Sequence, residues 1–180
     1  MTYQKNSDEM VFVMWMKKIS VVIILFLTAS DLYSQGSVHI YSTGSIMEID
    51  RCASAWLIKK FVDKKAVFKF FPDGEIIEVG IPFDTPDAEL SRTHRRSTFE
   101  VIMDTYQIVD HRLETLKKNI HDIEINFWGK KGSAESTIFA ADVNKIINQA
   151  KNNDDCLEKC FIYLDKMIEN RDLSQKIKVK

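Results

Sequence analysis

From Asp50 onward the apolar residues Ala53, Trp56, Leu57 and Phe61 recur at helical spacing. Asp50 is placed to cap that helix, and Lys59, Lys60, Lys64 and Lys65 suit its negative end. Next, Ala66–Phe71 alternates, with Lys69 between Phe68 and Phe70, and Pro72-Asp73-Gly74 separates it from Ile76–Gly80; this pattern predicts a β-hairpin. Upstream, the scattered β-branched residues of Val38–Met47 predict a short strand or extended lead-in, and Ile81–Leu90, with Pro82 and Pro86, reads as a loop.

Ser97-Thr98-Phe99-Glu100 has the form of a capping box, opening a helix through Phe99, Ile102, Met103 and Tyr106. Asp110 caps a third helix with Leu113, Leu116, Ile120 and Ile123, and Phe127–Gly132 is a glycine-bounded loop. A fourth helix runs through Ile138, Phe139, Val143, Ile146 and Ile147, and a fifth through Leu157, Phe161, Leu164, Met167 and Ile168. The expected fold class is therefore α+β and mostly helical, with about five helices packed with a small β-hairpin or short antiparallel sheet.

At 180 residues and 45% hydrophobic content the chain can bury one ordinary core. Lys17-Lys18, the apolar run Ile19–Leu27 and the small or polar residues Thr28–Gly36 read as an export signal, with Met16 an alternative start. The apolar run is about half of the roughly 20 residues that a spanning helix needs, so no stable membrane insertion is expected after signal removal. The expected organisation is a signal peptide over 1–35, one domain over 36–174 and a basic tail over 175–180, in the periplasm or secreted. Residues 1–35 carry three side chains of each sign, leaving 22 basic against 23 acidic, with no excess that would mark a nucleic-acid partner.

Three groupings offer chemistry. Arg92, His94, Arg95 and Arg96 lead directly into Ser97, and basic residues before a helix start, where backbone N–H groups are free, suit an oxyanion. The alternative is a solvated loop. His121-Asp122, with His94, Glu89, Asp104 and Glu135 as companions, could supply a divalent metal, although no two histidines have ligand-type spacing. Asp50-Arg51 could bind and orient an anion, or serve as a cap and a paired side chain. The three cysteines, Cys52, Cys156 and Cys160, are an odd count; Cys156 and Cys160 share a helix face, at the edge of disulfide geometry or as two buried apolar thiols. Nothing matches a phosphate-binding glycine loop, a nucleophile elbow or a zinc-protease helix.

An ordered set of short motifs adds to this. Ile49-Asp50-Arg51 followed by Trp56-Leu57-Ile58, two lysines and Phe61-Val62-Asp63, then Ala66–Phe70, Pro82-Phe83-Asp84, Glu89-Leu90-Ser91, Thr98-Phe99-Glu100 and Ile120-His121-Asp122-Ile123, resembles the C-terminal domain of chromate-resistance protein B, a family also described as chromate-resistance exported proteins. The resemblance covers about Ile49 to Ala150. It implies a role in oxyanion or metal-stress response by binding chromate or a related anion; the alternatives are a metal-dependent periplasmic enzyme using His121, Asp122 and His94, or an interaction module without a small ligand. Full-length regulators of the family also carry a DNA-binding region, which is not expected here. Ser54, Ala55 and Ser97 stand where the family often has Cys, Pro and Cys, so any chemistry of those thiols is not carried over, and Cys52 does not replace them.

Overall fold

Tyr41, Ser42 and Thr43 are buried on a strand of only five residues, β1 (Ile40–Gly44), because that strand has a neighbour on each edge. On one side β2 (Val67–Phe71) pairs in register from Ile40 with Val67 to Gly44 with Phe71; on the other, β3 (Ile81–Pro82) pairs Tyr41 with Ile81 and Ser42 with Pro82. Both pairings are parallel. Parallel neighbours cannot be joined by a tight turn, and the crossover from β1 to β2 is made by α1 (Ile49–Leu57).

The expected hairpin and antiparallel sheet are thereby corrected. Pro72-Asp73-Gly74 does turn, with the Glu75 N–H on the Pro72 carbonyl at 3.2 Å and Gly74 at φ 90°, but the chain does not fold back along β2. Ile76 and Val79, the apolar residues of the expected return strand, lie exposed. The turn signal is local, whereas the partner of β2 comes from 27 residues upstream in the register.

Helices stand where the apolar spacing places them. After α1 come α2 (Thr98–Thr105), a 3₁₀ turn (His111–Leu113) leading into α3 (Glu114–Glu124), α4 (Ala134–Gln149) and α5 (Asn153–Lys178). α1 is the core element: all nine of its residues are buried, Asp50 and Arg51 included. It continues as a π-helical segment, Ile58–Val62, closed by the Asp63 N–H on the Ile58 carbonyl at 2.8 Å. That widened turn brings Phe61 under Trp56, five residues earlier, as an edge-on pair with centroids 5.7 Å apart. The Trp56 ring is buried, and its Nε1–H donates to Asp165 Oδ1 on α5 at 3.1 Å, which also accepts from Lys60 Nζ at 2.6 Å. Phe68 of β2 closes the core from the sheet side, 6.0 Å from Phe83 and 6.1 Å from Phe161.

This computed structural model describes residues 39–126 and 132–178. They fall within one compact unit, Val38–Lys180. The export signal and most of the Phe127–Gly132 loop lie outside the described residues. Among the described residues no helix is long and apolar enough to cross a membrane.

Candidate functional site

Asp50 sits in the first turn of α1, yet it does not cap that helix, whose N-cap is Glu48 with no side-chain bond. Its carboxylate instead reaches the start of α2, accepting from the Thr98 N–H at 2.6 Å and the Phe99 N–H at 2.9 Å, with Ser54 Oγ donating at 3.1 Å. Two helix-start amides that the sequence offered to an external anion are thus held by an internal one. Burial, with the Asp84 charge adding to it, pushes the Asp50 carboxyl up to about 7 against those two N–H bonds.

Arg51, also buried, turns the other way. Its Nε donates to Asp84 Oδ2 at 3.0 Å and its Nη2 to the Asp84 carbonyl at 2.9 Å, while Nη1 reaches the Ile46 carbonyl and Asp73 Oδ1, the latter at 3.3 Å. Asp84 accepts from Thr98 Oγ1 at 2.6 Å as well, and holds φ at 51°, a left-handed conformation that Asp tolerates better than most residues. At the end of β1 a Cβ on Gly44 would come 2.3 Å from Asp73 Oδ1 and 2.9 Å from Arg51 Nη1, so a side chain there would expel the pair. A cleft of about 260 Å³ opens beside it, edged by Arg51, Asp73, Glu75 and Asp87. With three carboxylates to a single guanidinium already committed to Asp84 and Asp73, this cleft is a poor receptor for a dianion.

The opposite edge of the network is more accessible. Ser97 closes the capping box, its Oγ accepting from the Glu100 N–H at 3.3 Å, and Glu100 Oε2 accepts from the Ser97 N–H at 2.9 Å and meets His121 Nδ1 of α3 at 2.9 Å. One turn along α3, Glu124 receives Arg92 Nη1 at 3.3 Å. Burial holds the Glu124 carboxyl above the usual range; Arg92 pulls it down, and Asp84 and Glu48 push it up.

The remaining sequence candidates are dispersed. Arg96 pairs with Asp104, and the Arg95 and Arg96 amides donate to Thr93 Oγ1 at 3.2 and 3.0 Å, folding the basic loop while both side chains stay in solvent. His94 is exposed. Asp122 turns away from His121 to the start of α4, accepting from Asn126 Nδ2 at 3.2 Å and the Ser133 N–H at 3.4 Å; burial would raise its carboxyl, but those donors hold it below the usual range. Glu135 is exposed in the first turn of α4. His94, His121, Asp122 and Glu135 are not brought together as a ligand group: among the described residues, the group of three or more ligand-type side chains with atoms mutually within 4.8 Å is Cys52, Cys156 and Cys160.

Sequence reasoning did not assign chemistry to Asp84, Thr98, Glu100 or Glu124. The first three lie in motifs already noted, Pro82-Phe83-Asp84 and Thr98-Phe99-Glu100; Glu124, three residues after His121 on the same helix face, carried no signal beyond that spacing.

Fold and site together define a helical domain on a small parallel sheet, organised around the buried Asp50, Arg51 and Asp84, with a partly exposed His121 on the buried Glu100 at its edge. The chain belongs to the family described as ChrB, C-terminal domain, which matches residues 41–171. It is 27% identical over 129 residues to Protein ChrB of Cupriavidus metallidurans, a match that covers 71% of this chain and 39% of that protein. No solved structure matches it. Membership in the family suggests a role related to chromate resistance. The geometry adds that four motifs separated in sequence, those containing Asp50-Arg51, Asp84, Thr98-Phe99-Glu100 and His121, are joined by direct hydrogen bonds.

Proposed function

We propose that the domain serves chromate resistance by binding chromate or a related tetrahedral dianion where the Arg92–Arg96 loop meets Glu124 and His121. The observation that carries this reading is the Arg92–Glu124 pair. An exposed guanidinium rests on a carboxyl whose burial favours its neutral form, so an incoming dianion can take the guanidinium while Glu124 takes a proton from solvent. Arg95 and Arg96 stand on the same Thr93-folded loop and supply further donors beside the His121–Glu100 contact. The Arg51 and Asp50 network keeps the α2 start and the Asp84 loop in register with the loop that binds.

Calorimetric titration with sulfate, which stays a dianion between pH 6 and 8, and then with chromate, tests the reading. Binding should tighten as pH falls, with proton uptake, and Arg92→Gln should weaken it at low salt. Affinity independent of both pH and Arg92 would overturn it.

A second reading, a divalent-metal site that could support catalysis, has the His121–Glu100 contact in its favour, because a carboxylate on Nδ1 orients Nε2 toward a ligand position. Metal analysis of the purified protein, before and after Glu100→Gln, separates the two. Export through residues 1–35 belongs to the same proposal, and N-terminal sequencing of secreted protein that began at Met1 or Met16 would contradict it.

A further inference from the structure

Every cysteine of the chain ends up in one place. Cys52 is on the buried helix α1; Cys156 and Cys160, one turn apart on α5, face it across the α1–α5 contact. The three thiols are free and buried, their Sγ atoms lie within 4.8 Å of one another, and Cys52 Sγ is 3.9 Å from Cys156 Sγ. In the pyramidal arrangement of a three-coordinate ion with a lone pair, thiolate bonds of about 2.3 Å place the sulfurs about 3.5 Å apart, a spacing that small side-chain shifts of the three thiols would reach. Burying small apolar thiols requires no such convergence of two helices on one point.

We propose that Cys52, Cys156 and Cys160 form a three-thiolate site for a soft trivalent ion of the arsenic(III) class. This is independent of the oxyanion reading, which uses none of the three. Softness follows from the all-sulfur donor set. The valence follows from charge. Three thiolates in a dry core leave two negative charges with a monovalent ion, one with a divalent ion and none with a trivalent one, and uncompensated buried charge is costly. The adjacent cation cannot offset it, since Lys159 Nζ is held by Asp155 at 2.7 Å. Coordination number points the same way: among the described residues no His, Asp or Glu joins the group to complete the fourth position that zinc prefers. Arsenous acid, As(OH)₃, reacts with three thiols by exchanging three As–O bonds for three As–S bonds and releasing three waters, with no change in oxidation state.

The test uses the reduced full chain with arsenite. We expect one arsenic bound per chain at the cost of three hydrogens by mass, loss of all three thiols to a thiol reagent, and three sulfur neighbours by X-ray absorption. Cys52→Ala should abolish the complex while circular dichroism reports a folded protein. If that variant does not fold, the wild-type absorption spectrum decides, three sulfurs supporting the site and two sulfurs with an oxygen overturning it. Unchanged binding by a folded Cys52→Ala, no complex with the wild type, or tighter binding of cadmium(II) than of arsenic(III) would each sink the proposal.

Discussion

Arg51 shows how much a single residue can commit. Its guanidinium is buried and has two carboxylates and two carbonyls as acceptors, so removing it strands the buried Asp84 and leaves Asp73 to solvent. Breaking a buried pair by deleting one partner costs far more than the pair gains against an apolar replacement, and Arg51→Ala should lose about 3–5 kcal/mol in urea unfolding. A loss below about 1 kcal/mol would show the pair to be solvated. Asn119 is the opposite case. Among the described residues, its fully buried amide has no hydrogen-bond partner on either Nδ2 or Oδ1. An apolar side chain of similar volume removes that desolvation cost, so Asn119→Leu should raise stability by about 1–3 kcal/mol. A lower urea midpoint in the variant would mean that the amide is satisfied in solution.

Among the elements, α1 is the one on which the others depend. Its apolar spacing made it legible, but its polar residues were misassigned in a physically instructive way. Asp50 reads as a cap because it precedes an apolar run, and it does cap a helix, the one that begins 48 residues later. Propensity sees which side chain can accept from a free amide and cannot see whose amide is near. The sheet fails to read for the same reason: Pro72-Asp73-Gly74 announces a turn correctly, while the strand that pairs with β2 is supplied by the crossover through α1. Trp56 was expected in the core and lies there, wedged between Phe61 and the Asp165 carboxylate. Trp56→Ala leaves a cavity between α1 and α5 and should cost about 3–5 kcal/mol by thermal or chemical unfolding. Trp56→Phe, which keeps most of the volume but not the N–H donor, should recover most of that loss. Equal destabilisation by both variants would assign the stability to the hydrogen bond instead.

At the scale of the whole molecule, the candidate residues were legible and their grouping was not. Arg51, Asp50, Ser97 and His121 were all named from the sequence, but which of them meet depends on α1 lying against the start of α2 and on the last turn of α3 reaching Glu100, a packing fact with no local signature. Asp84 hid in a loop between two prolines, and Glu124 looked like an ordinary helix-end acid until burial singled it out. The same packing gives the protein a pH dependence of unusual sign. Asp63, Asp73, Asp110, Asp122 and Asp155 have lowered carboxyl pKa values, so their contributions are present above the ordinary carboxylate range and fade as pH falls through their folded values. Asp50 is raised, from 3.8 to about 7, and Glu124 is raised as well, so the folded state holds protons that the unfolded chain has released. Their contribution is greatest below the unfolded value and is lost as pH climbs through the folded one. Stability should therefore rise out of strong acid, pass a maximum near pH 4 to 5, and decline toward pH 8. Asp50→Asn keeps the side-chain shape without the ionisation. It should be less stable than wild type in mild acid, where protonated Asp50 is already accommodated, and the gap should narrow as pH rises from about 4 to about 7 and stay constant above that. Urea unfolding of both proteins at half-unit pH steps reads this directly, and parallel curves for the two would assign the decline to other groups.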